Sequence, residues 1–289
     1  MTPEILPGLA ALAGRYDAFI LDLWGVIHDG TKPYPGAGDT LARLKALGKS
    51  TVLLSNAPRR AHALIEAMTG MGIARDLYGG VMSSGEAVHR ELKDRTDPVF
   101  AGLGKRLYHL GPERDRNVFA GLDYQDAPLD QADFVLNTGP VDFSESVADY
   151  ETVLQQAARR RLPMICANPD ITVIRLGVPV VCAGALAERY RELGGHVAER
   201  GKPDPAIYPV CLELLGLKPG QKALAIGDGL HTDILGANAA GIDSALVAGG
   251  IHRAELGLAW GASPSAQGIE KLLAVHQGNP LYVLPTFVW

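Results

Sequence analysis

The sequence has little cysteine, no surplus of basic residues and no long uninterrupted apolar run. Its three cysteines are an odd number without close pairing, so we expect no disulfide framework, no sulfur-ligated metal and a reducing compartment. Lys and Arg number 27 against 32 Asp and Glu, a net charge of -5 that argues against nucleic acid as a partner.

Membrane association is not expected either. The apolar run at 18–27 is interrupted by Asp22, which argues against a membrane span, and residues 1–14 lack the basic segment of a signal peptide. We therefore expect a cytoplasmic protein without a membrane partner.

The composition is that of an ordinary globular protein, with 47% hydrophobic and 20% charged residues among 289. At roughly 150 residues per domain, this length predicts about two domains.

Short apolar runs alternate with segments of helical periodicity, which is typical of an α/β fold with a parallel sheet. The predicted strands lie at Phe19–Leu21, Thr51–Leu54, Phe134–Leu136 and Ala223–Ile226, and the predicted helices at Asp39–Leu47, Arg60–Met71, Ser146–Arg159 and Thr232–Ala240.

Two charged, glycine-containing passages, 93–116 and 188–202, are candidate hinges. They divide the chain into a core built from both ends, 1–102 with 195–289, and an insertion at 103–194 with its own strands and helices. Residues with catalytic character should then lie outside the insertion.

Carboxylates follow two of the predicted core strands. Asp22 ends the first, and Asp228 ends a later one that continues through a glycine turn to Asp233, placed as a helix N-cap. The carboxyl ends of parallel strands form the ligand crevice of an open α/β sheet. Because oxygen ligands of this type suit Mg²⁺, we expect the two strand-end carboxylates, Asp22 and Asp228, to share that ion.

Two further residues suit a phosphoryl group. Ser55 offers a hydroxyl and adjacent backbone N–H groups after the second strand. Lys202 offers a positive charge within Gly201-Lys-Pro-Asp-Pro.

In this order, the motifs Asp22-Leu-Trp-Gly-Val, Leu54-Ser-Asn-Ala-Pro58, Gly201-Lys-Pro and Gly227-Asp-Gly-Leu-His-Thr-Asp233 resemble those of the haloacid dehalogenase superfamily. Ala167-Asn-Pro-Asp170 and Cys182-Ala-Gly-Ala-Leu186 look like segments of a class II cap, so the resemblance is to the NagD-like phosphatases. It implies a Rossmann-like core with an inserted α/β cap domain.

The resemblance also implies site roles. Asp22 would be the nucleophile that forms an aspartyl-phosphate, and would ligate Mg²⁺ together with Asp228 and the backbone carbonyl of Trp24. Asp233 would orient the waters of the ion or Lys202, while Ser55 and Lys202 hold the phosphoryl group.

Asn56, Asn168 and Asp170 are candidate substrate-binding residues, although Ser-Asn-Ala-Pro and Asn-Pro-Asp are also ordinary turn sequences. The substrate expected is a small phosphorylated metabolite such as a sugar phosphate or a nucleotide.

One residue departs from the family pattern. Phosphatases of this family usually have a second aspartate two residues after the nucleophile, as general acid and base, and here that residue is Trp24. Its loss typically lowers the rate about 10² to 10⁴-fold. His28 and Asp29 are candidate replacement donors, although this pair also fits a turn.

Because of Trp24, three functions stay open. The chain is either a slow phosphohydrolase or a phosphometabolite-binding protein that has lost turnover, and a metal-independent dehalogenase is the third alternative. Oligomeric state is open as well: the terminal run Leu281–Trp289 packs either on the core or on a partner subunit of a homodimer.

Overall fold

The computed structural model describes residues 2–289 as an α/β protein with two parallel sheets, which confirms the predicted fold class. The strands are β1 Glu4–Ile5, β2 Ala18–Leu21, β3 Ser50–Ser55, β4 Gly80–Ser83, β5 Arg106–Leu110, β6 Gln125–Asp126, β7 Phe134–Asn137, β8 Met164–Cys166, β9 Thr172–Arg175, β10 Val178–Val181, β11 Val197–Glu199, β12 Ala223–Gly227, β13 Asp243–Val247 and β14 Tyr282–Leu284. The helices are α1 Ala10–Ala13, α2 Ala37–Ala46, α3 Ala61–Gly70, α4 Ser84–Asp94, α5 Pro98–Ala101, α6 Glu151–Arg159, α7 Ala183–Glu192, α8 Tyr208–Leu215, α9 Leu235–Ala239 and α10 Ala266–Val275.

The larger sheet joins the two ends of the chain. Its order is β1-β14-β13-β12-β2-β3-β4, and every neighbouring pair is parallel. Phe19 and Leu21 of β2 face a core cluster that includes residues of α2 and α3, while Ala18 and Ile20 face a second cluster around α8. Because both faces are covered, the central strands are continuously apolar rather than alternating.

The smaller sheet is built from the middle of the chain, in the order β11-β8-β7-β5-β6, again with parallel pairs. Its last strand, β11, lies beyond residue 194, where the sequence placed the end of the insertion. That boundary is too early, because Val197 and Ala198 pair with Met164 and Ile165. The passage interpreted as a hinge contains an edge strand instead.

Two other segments position the site. The antiparallel hairpin of β9 and β10 stands apart from both sheets, between Asp170 and α7. The C-terminal run places β14 between β1 and β13 and buries Phe287, so it packs on the core. Within residues 2–289, no helix is both long and apolar enough to cross a bilayer.

Candidate active site

The predicted catalytic residues meet at the carboxyl ends of three adjacent core strands. Asp22 directly follows β2, Ser55 ends β3, and Asp228 directly follows β12. The register places Leu21 beside Ile226 and Leu53, and Asp22 N–H donates to the Ile226 carbonyl at 2.9 Å. All three side chains are buried. Parallel pairing therefore brings residues some 200 positions apart in sequence to one crevice.

Lys202 lies at the centre of this crevice. Its Nζ donates to Asp22 Oδ1 at 2.6 Å, to Asp233 Oδ1 at 2.7 Å and to the Leu54 carbonyl at 3.2 Å. Its backbone is held by Asn56, which accepts from Lys202 N–H at 2.8 Å and donates to its carbonyl at 2.9 Å. Burial lowers the pKa of Lys202, but the two carboxylates outweigh it and raise the pKa well above the ordinary value. Lys202 is therefore a fixed buried cation.

The carboxylates of Asp22, Asp228 and Asp233 each bring one oxygen within 4.8 Å of the others. Burial raises the pKa of Asp228 to about 8, and repulsion from Asp233 adds to it. The pKa of Asp22 is likewise raised well above the ordinary value, mainly by burial and against the attraction of Lys202. When all three carboxyl groups are ionised, their negative charge exceeds what one ammonium neutralises, so a further cation would favour the ionised forms. A set of hard oxygen donors with unmet charge fits Mg²⁺.

Asp233 is not the helix N-cap that the sequence predicts. The helical segment begins earlier, with a π-helical turn over Leu230–Ile234, so Asp233 lies inside the turn. Its Oδ2 accepts from Gly229 N–H at 3.0 Å while Oδ1 accepts from Lys202. Asp233 thus fixes both the turn after Asp228 and the ammonium beside Asp22.

Gly25 is required by the position of Asp228. Its φ is 81°, in the left-handed region, and a Cβ at this position would overlap the Asp228 carboxylate. Ile251 N–H also donates to Asp228 Oδ2, at 2.7 Å. The carboxylate is therefore held between two loops.

Trp24 points away from the core toward the insertion. Its indole Nε1 donates to the Ile174 carbonyl in β9 at 2.9 Å, and its ring packs edge-on against His28. A Cβ at Gly30 would overlap this ring. The side chain that replaces the second aspartate is thus a link between the core and the hairpin. The contact between the Trp24 carbonyl and a metal ion stays a prediction.

The suggested replacement donors have local structural roles. His28 is buried, its Nδ1 accepts from Gly30 N–H at 3.0 Å, and burial lowers its pKa to about 4. Asp29 Oδ1 accepts from Thr31 N–H and Lys32 N–H, each at 2.9 Å. Burial raises the pKa of Asp29, but the hydrogen bond from the Thr31 hydroxyl, together with these backbone bonds, outweighs it and lowers the pKa overall. The geometry favours the turn over a proton donor.

The predicted substrate-binding residues connect core and insertion. Asn56 Nδ2 donates to Asp170 Oδ1 at 2.8 Å, and Asn168 Oδ1 accepts from Asp170 N–H at 3.0 Å, as in an ordinary turn. Burial raises the pKa of Asp170. Ser55 Oγ accepts from Ala57 N–H at 3.2 Å, which leaves its hydroxyl proton available to a ligand.

Two cavities meet around Trp24, Ser55 and Asp170. The first, about 400 Å³, contains the carboxylates and Lys202; the second, about 280 Å³, lies against the insertion and is lined by residues that include Arg59, Arg114, Phe143, Asn168 and Arg175.

Sequence reasoning missed several lining residues. Tyr34 and Trp260 stack at 4.4 Å between ring centroids in the first cavity, and Arg59 donates to Asp115 Oδ1 at 3.1 Å beside the second. Tyr34 and Trp260 lie in loops without periodicity, so no local signal marks them. Arg59 directly precedes the predicted helix Arg60–Met71, where a basic residue is also typical of a solvated helix start.

Comparisons with known proteins identify the family to which the chain is similar. A family model described as haloacid dehalogenase-like hydrolase matches residues 19–125, and one described as HAD-hydrolase-like matches 199–273. A haloacid dehalogenase-like hydrolase from Brucella suis 1330 is 33% identical with a TM-score of 0.83, and the alignment covers 99% of this chain and 100% of that one.

One further relative is described as a nagD protein and another as a phosphatase. The structure of a nagD protein is 27% identical with a TM-score of 0.64, over 82% of this chain and 90% of that one. D-glycerol 3-phosphate phosphatase from Mycobacterium tuberculosis is 27% identical over 85% of this chain and 67% of its own. This chain belongs to the haloacid dehalogenase-like hydrolase family, in its branch of NagD-like phosphatases.

Proposed function

We propose that this phosphatase is Mg²⁺-dependent and hydrolyses phosphate monoesters of small metabolites through an aspartyl-phosphate on Asp22. The observation that carries the proposal is the buried group of Asp22, Asp228 and Asp233 around one fixed ammonium. A carboxylate nucleophile beside a cation site suits a phosphoryl group, which brings its own negative charge.

In the first step, Asp22 attacks phosphorus, an oxygen–phosphorus bond forms on its carboxylate, and the ester bond to the leaving alkoxide breaks. Lys202 holds Asp22 Oδ1 at 2.6 Å and thereby orients the nucleophile. Ser55 and the adjacent backbone N–H groups receive the phosphoryl oxygens. Water then cleaves the aspartyl-phosphate and releases inorganic phosphate.

Asp22 and Asp228, with the Trp24 carbonyl, would hold Mg²⁺, and Asp233 would orient its waters. When bound, the ion neutralises charge between these carboxylates and the phosphoryl oxygens. A dehalogenase acts without metal, and three converging carboxylates argue against that alternative.

The leaving alkoxide must take a proton without help from residue 24. The indole N–H of Trp24 is committed to the Ile174 carbonyl, and an indole does not exchange its proton usefully. We therefore expect activated aryl phosphates to be hydrolysed faster than alkyl phosphates, since an aryl oxide leaves without strong protonation.

The substrate is a small phosphorylated metabolite. A phosphoryl group in the 400 Å³ cavity leaves the adjoining 280 Å³ for the rest of the molecule, beside Asn56, Asn168 and Asp170. Arg59, Arg114 and Phe143 at the far side suit a substrate with a second polar or planar group, such as a sugar phosphate or a nucleotide.

Phosphate release from sugar phosphates, nucleotides, glycerol phosphates and aryl phosphates, with Mg²⁺ and with chelator, tests the proposal. We expect turnover with Mg²⁺ that chelator abolishes, and none above background for Asp22→Asn. Glu66→Gln is the matched control, because Glu66 lies on α3 outside the lining of both cavities. Turnover by Asp22→Asn equal to that of the control would exclude Asp22 as the nucleophile.

Trp24 gives the binding-protein alternative its own prediction. A protein that keeps the pocket but has lost turnover would bind phosphorylated metabolites tightly by calorimetry, with no phosphate released at any Mg²⁺ concentration.

A further inference from the structure

A second group of metal-ligating side chains lies on the core, apart from the carboxylates described above. His252 belongs to a short helical turn after β13, Glu255 follows one turn later, and His276 caps the C-terminus of α10. One ligand atom from each lies within 4.8 Å of the others. We propose that His252 Nδ1, the Glu255 carboxylate and His276 Nε2 bind a transition metal of the Zn²⁺ class.

The spacing is close to that of a ligated ion. His276 Nε2 lies 3.0 Å from both carboxylate oxygens of Glu255, and His252 Nδ1 lies 3.2 Å from one of them. With zinc bonds of about 2.0 to 2.2 Å, a tetrahedral site needs ligand atoms roughly 3.3 to 3.6 Å apart. The two imidazole–carboxylate pairs therefore need to separate by only a few tenths of an ångström to admit an ion, and the two imidazole nitrogens lie within 4.8 Å of each other.

The donor set decides which ion fits. Two imidazole nitrogens with one carboxylate suit Zn²⁺ and its neighbours, whereas the oxygen-only set of Asp22, Asp228 and Asp233 suits Mg²⁺. The two sites therefore differ in ligand chemistry as well as in position.

The neighbouring residues orient one ligand of the site and leave another open to solvent. His276 Nδ1 lies 2.9 Å from His231 Nε2, which is the outer hydrogen bond that typically orients a metal-ligating histidine. The side chain of Glu255 is 46% exposed, that of His276 21% and that of His252 7%. An ion, and a water molecule as its fourth ligand, can therefore reach the site past the exposed Glu255. The buried His252 holds the site on the core.

Metal binding at this site would also affect the helical turn Leu230–Ile234, which contains Asp233. Leu230 N–H donates to His252 Nε2 at 3.4 Å, a weak bond. A neutral imidazole that ligates through Nδ1 carries its proton on Nε2, so it no longer accepts from Leu230. Leu230 begins the helical turn that contains Asp233 and follows Asp228 by two residues. We expect the metal to push on this turn and inhibit the enzyme.

Zn²⁺ titrated by calorimetry at saturating Mg²⁺ tests the site. We expect one Zn²⁺ per chain, with affinity at least about tenfold lower in His276→Ala and Glu255→Ala. Both side chains reach solvent, so the variants should fold. His62→Ala, an exposed histidine on α3, is the matched control and should bind as the wild type does. Equal Zn²⁺ affinity in all four proteins would overturn the proposal.

Two further measurements separate a metal site from a hydrogen-bonded network. Co²⁺ in place of Zn²⁺ should give the strong visible absorption of a four-coordinate ion in the wild type but not in His276→Ala. Zn²⁺ should raise the melting temperature of the wild type and leave that of His276→Ala unchanged. If the variant is destabilised equally with chelator and with Zn²⁺, the cluster is a structural network only.

The inhibition rests on the proposed phosphatase activity, but the binding does not. Zn²⁺ should inhibit the Mg²⁺-saturated wild type and spare His276→Ala, whereas Zn²⁺ acting at the carboxylates would inhibit both. If no preparation hydrolyses phosphate esters, the proposed function fails while the Zn²⁺ titration still decides the site.

Discussion

Restoring an aspartate two residues after the nucleophile should change which substrates are hydrolysed. Trp24→Asp supplies a carboxyl group at the position from which other family members protonate the leaving group. General acid catalysis typically contributes about 10² to 10⁴-fold, or roughly 3 to 5 kcal/mol of barrier. We expect the gain in kcat to be large for alkyl phosphates and small for aryl phosphates.

The substitution also has a structural cost. It removes the bond from Trp24 Nε1 to the Ile174 carbonyl, which contributes about 0.5 to 1.5 kcal/mol to holding the hairpin on the core. It also empties the space between His28 and Gly30 that the indole fills. KM should therefore rise while kcat rises, because the insertion that lines the substrate cavity is held on the core by one contact fewer.

Trp24→Asn separates the two effects. It removes the same indole and the same hydrogen bond but provides no carboxyl group, so the ratio of kcat between the two variants isolates proton transfer. The assay is phosphate release from glycerol phosphate and 4-nitrophenyl phosphate across pH, with Mg²⁺ saturating. Equal kcat in the two variants, or an equal gain on both substrates, would refute the reasoning.

Three further predictions concern the buried charges. Lys202→Met should abolish turnover and lower the free energy of unfolding in chelator by about 3 to 5 kcal/mol, since it leaves Asp22 and Asp233 buried without a partner. Urea unfolding measures this loss of stability. Lys218→Met, on the surface, is the control. In chelator, the melting temperature of the wild type relative to that of Asp228→Asn should fall as pH rises from about 4 to about 8, because the folded pKa of Asp228 lies above its unfolded value and its stabilising contribution is lost as pH passes the folded pKa. The comparison cancels the opposite contribution of buried His28 and His109, whose pKa burial lowers to about 4. Mg²⁺ should flatten this difference, and equal slopes in the two proteins would assign the pH dependence to another group. Gly25→Ala should weaken Mg²⁺ binding in calorimetry far more than Gly14→Ala, where a Cβ meets nothing within 4 Å; equal affinities would remove the packing argument.

The sequence predicts the core and its carboxylates well for a physical reason. Strands β2, β3 and β12 are buried on both faces, so they are continuous apolar runs, and the residues that end them reach one edge of the sheet by topology alone. Phe134–Leu136 was found by the same signal in the insertion. The locations of Asp22, Ser55 and Asp228 at the ends of predicted parallel strands are thus sufficient to predict that they lie together.

Other features depend on contacts that no local pattern records. Strand β11 has three residues, all half-buried, at a sheet edge, so it lacks the apolar run that marks the central strands. The bond between Trp24 and Ile174 joins residues 150 positions apart, and it depends on how the insertion docks. The role of Asp233 was misread because its turn is π-helical, and a single sequence does not distinguish that turn from an α-helical start.

The links between core and insertion start from the same loops that hold the catalytic groups. Trp24 lies two residues after Asp22 and donates to Ile174, while Asn56 lies one residue after Ser55 and donates to Asp170. Asn56 also holds the backbone of Lys202 by two hydrogen bonds. The loops that carry Asp22, Ser55 and Lys202 are therefore held partly by their contacts to the insertion. Docking of the insertion and the geometry of the proposed phosphoryl site depend on the same loops, and Trp24 adds a hydrogen bond between core and insertion where the family pattern has a carboxyl group.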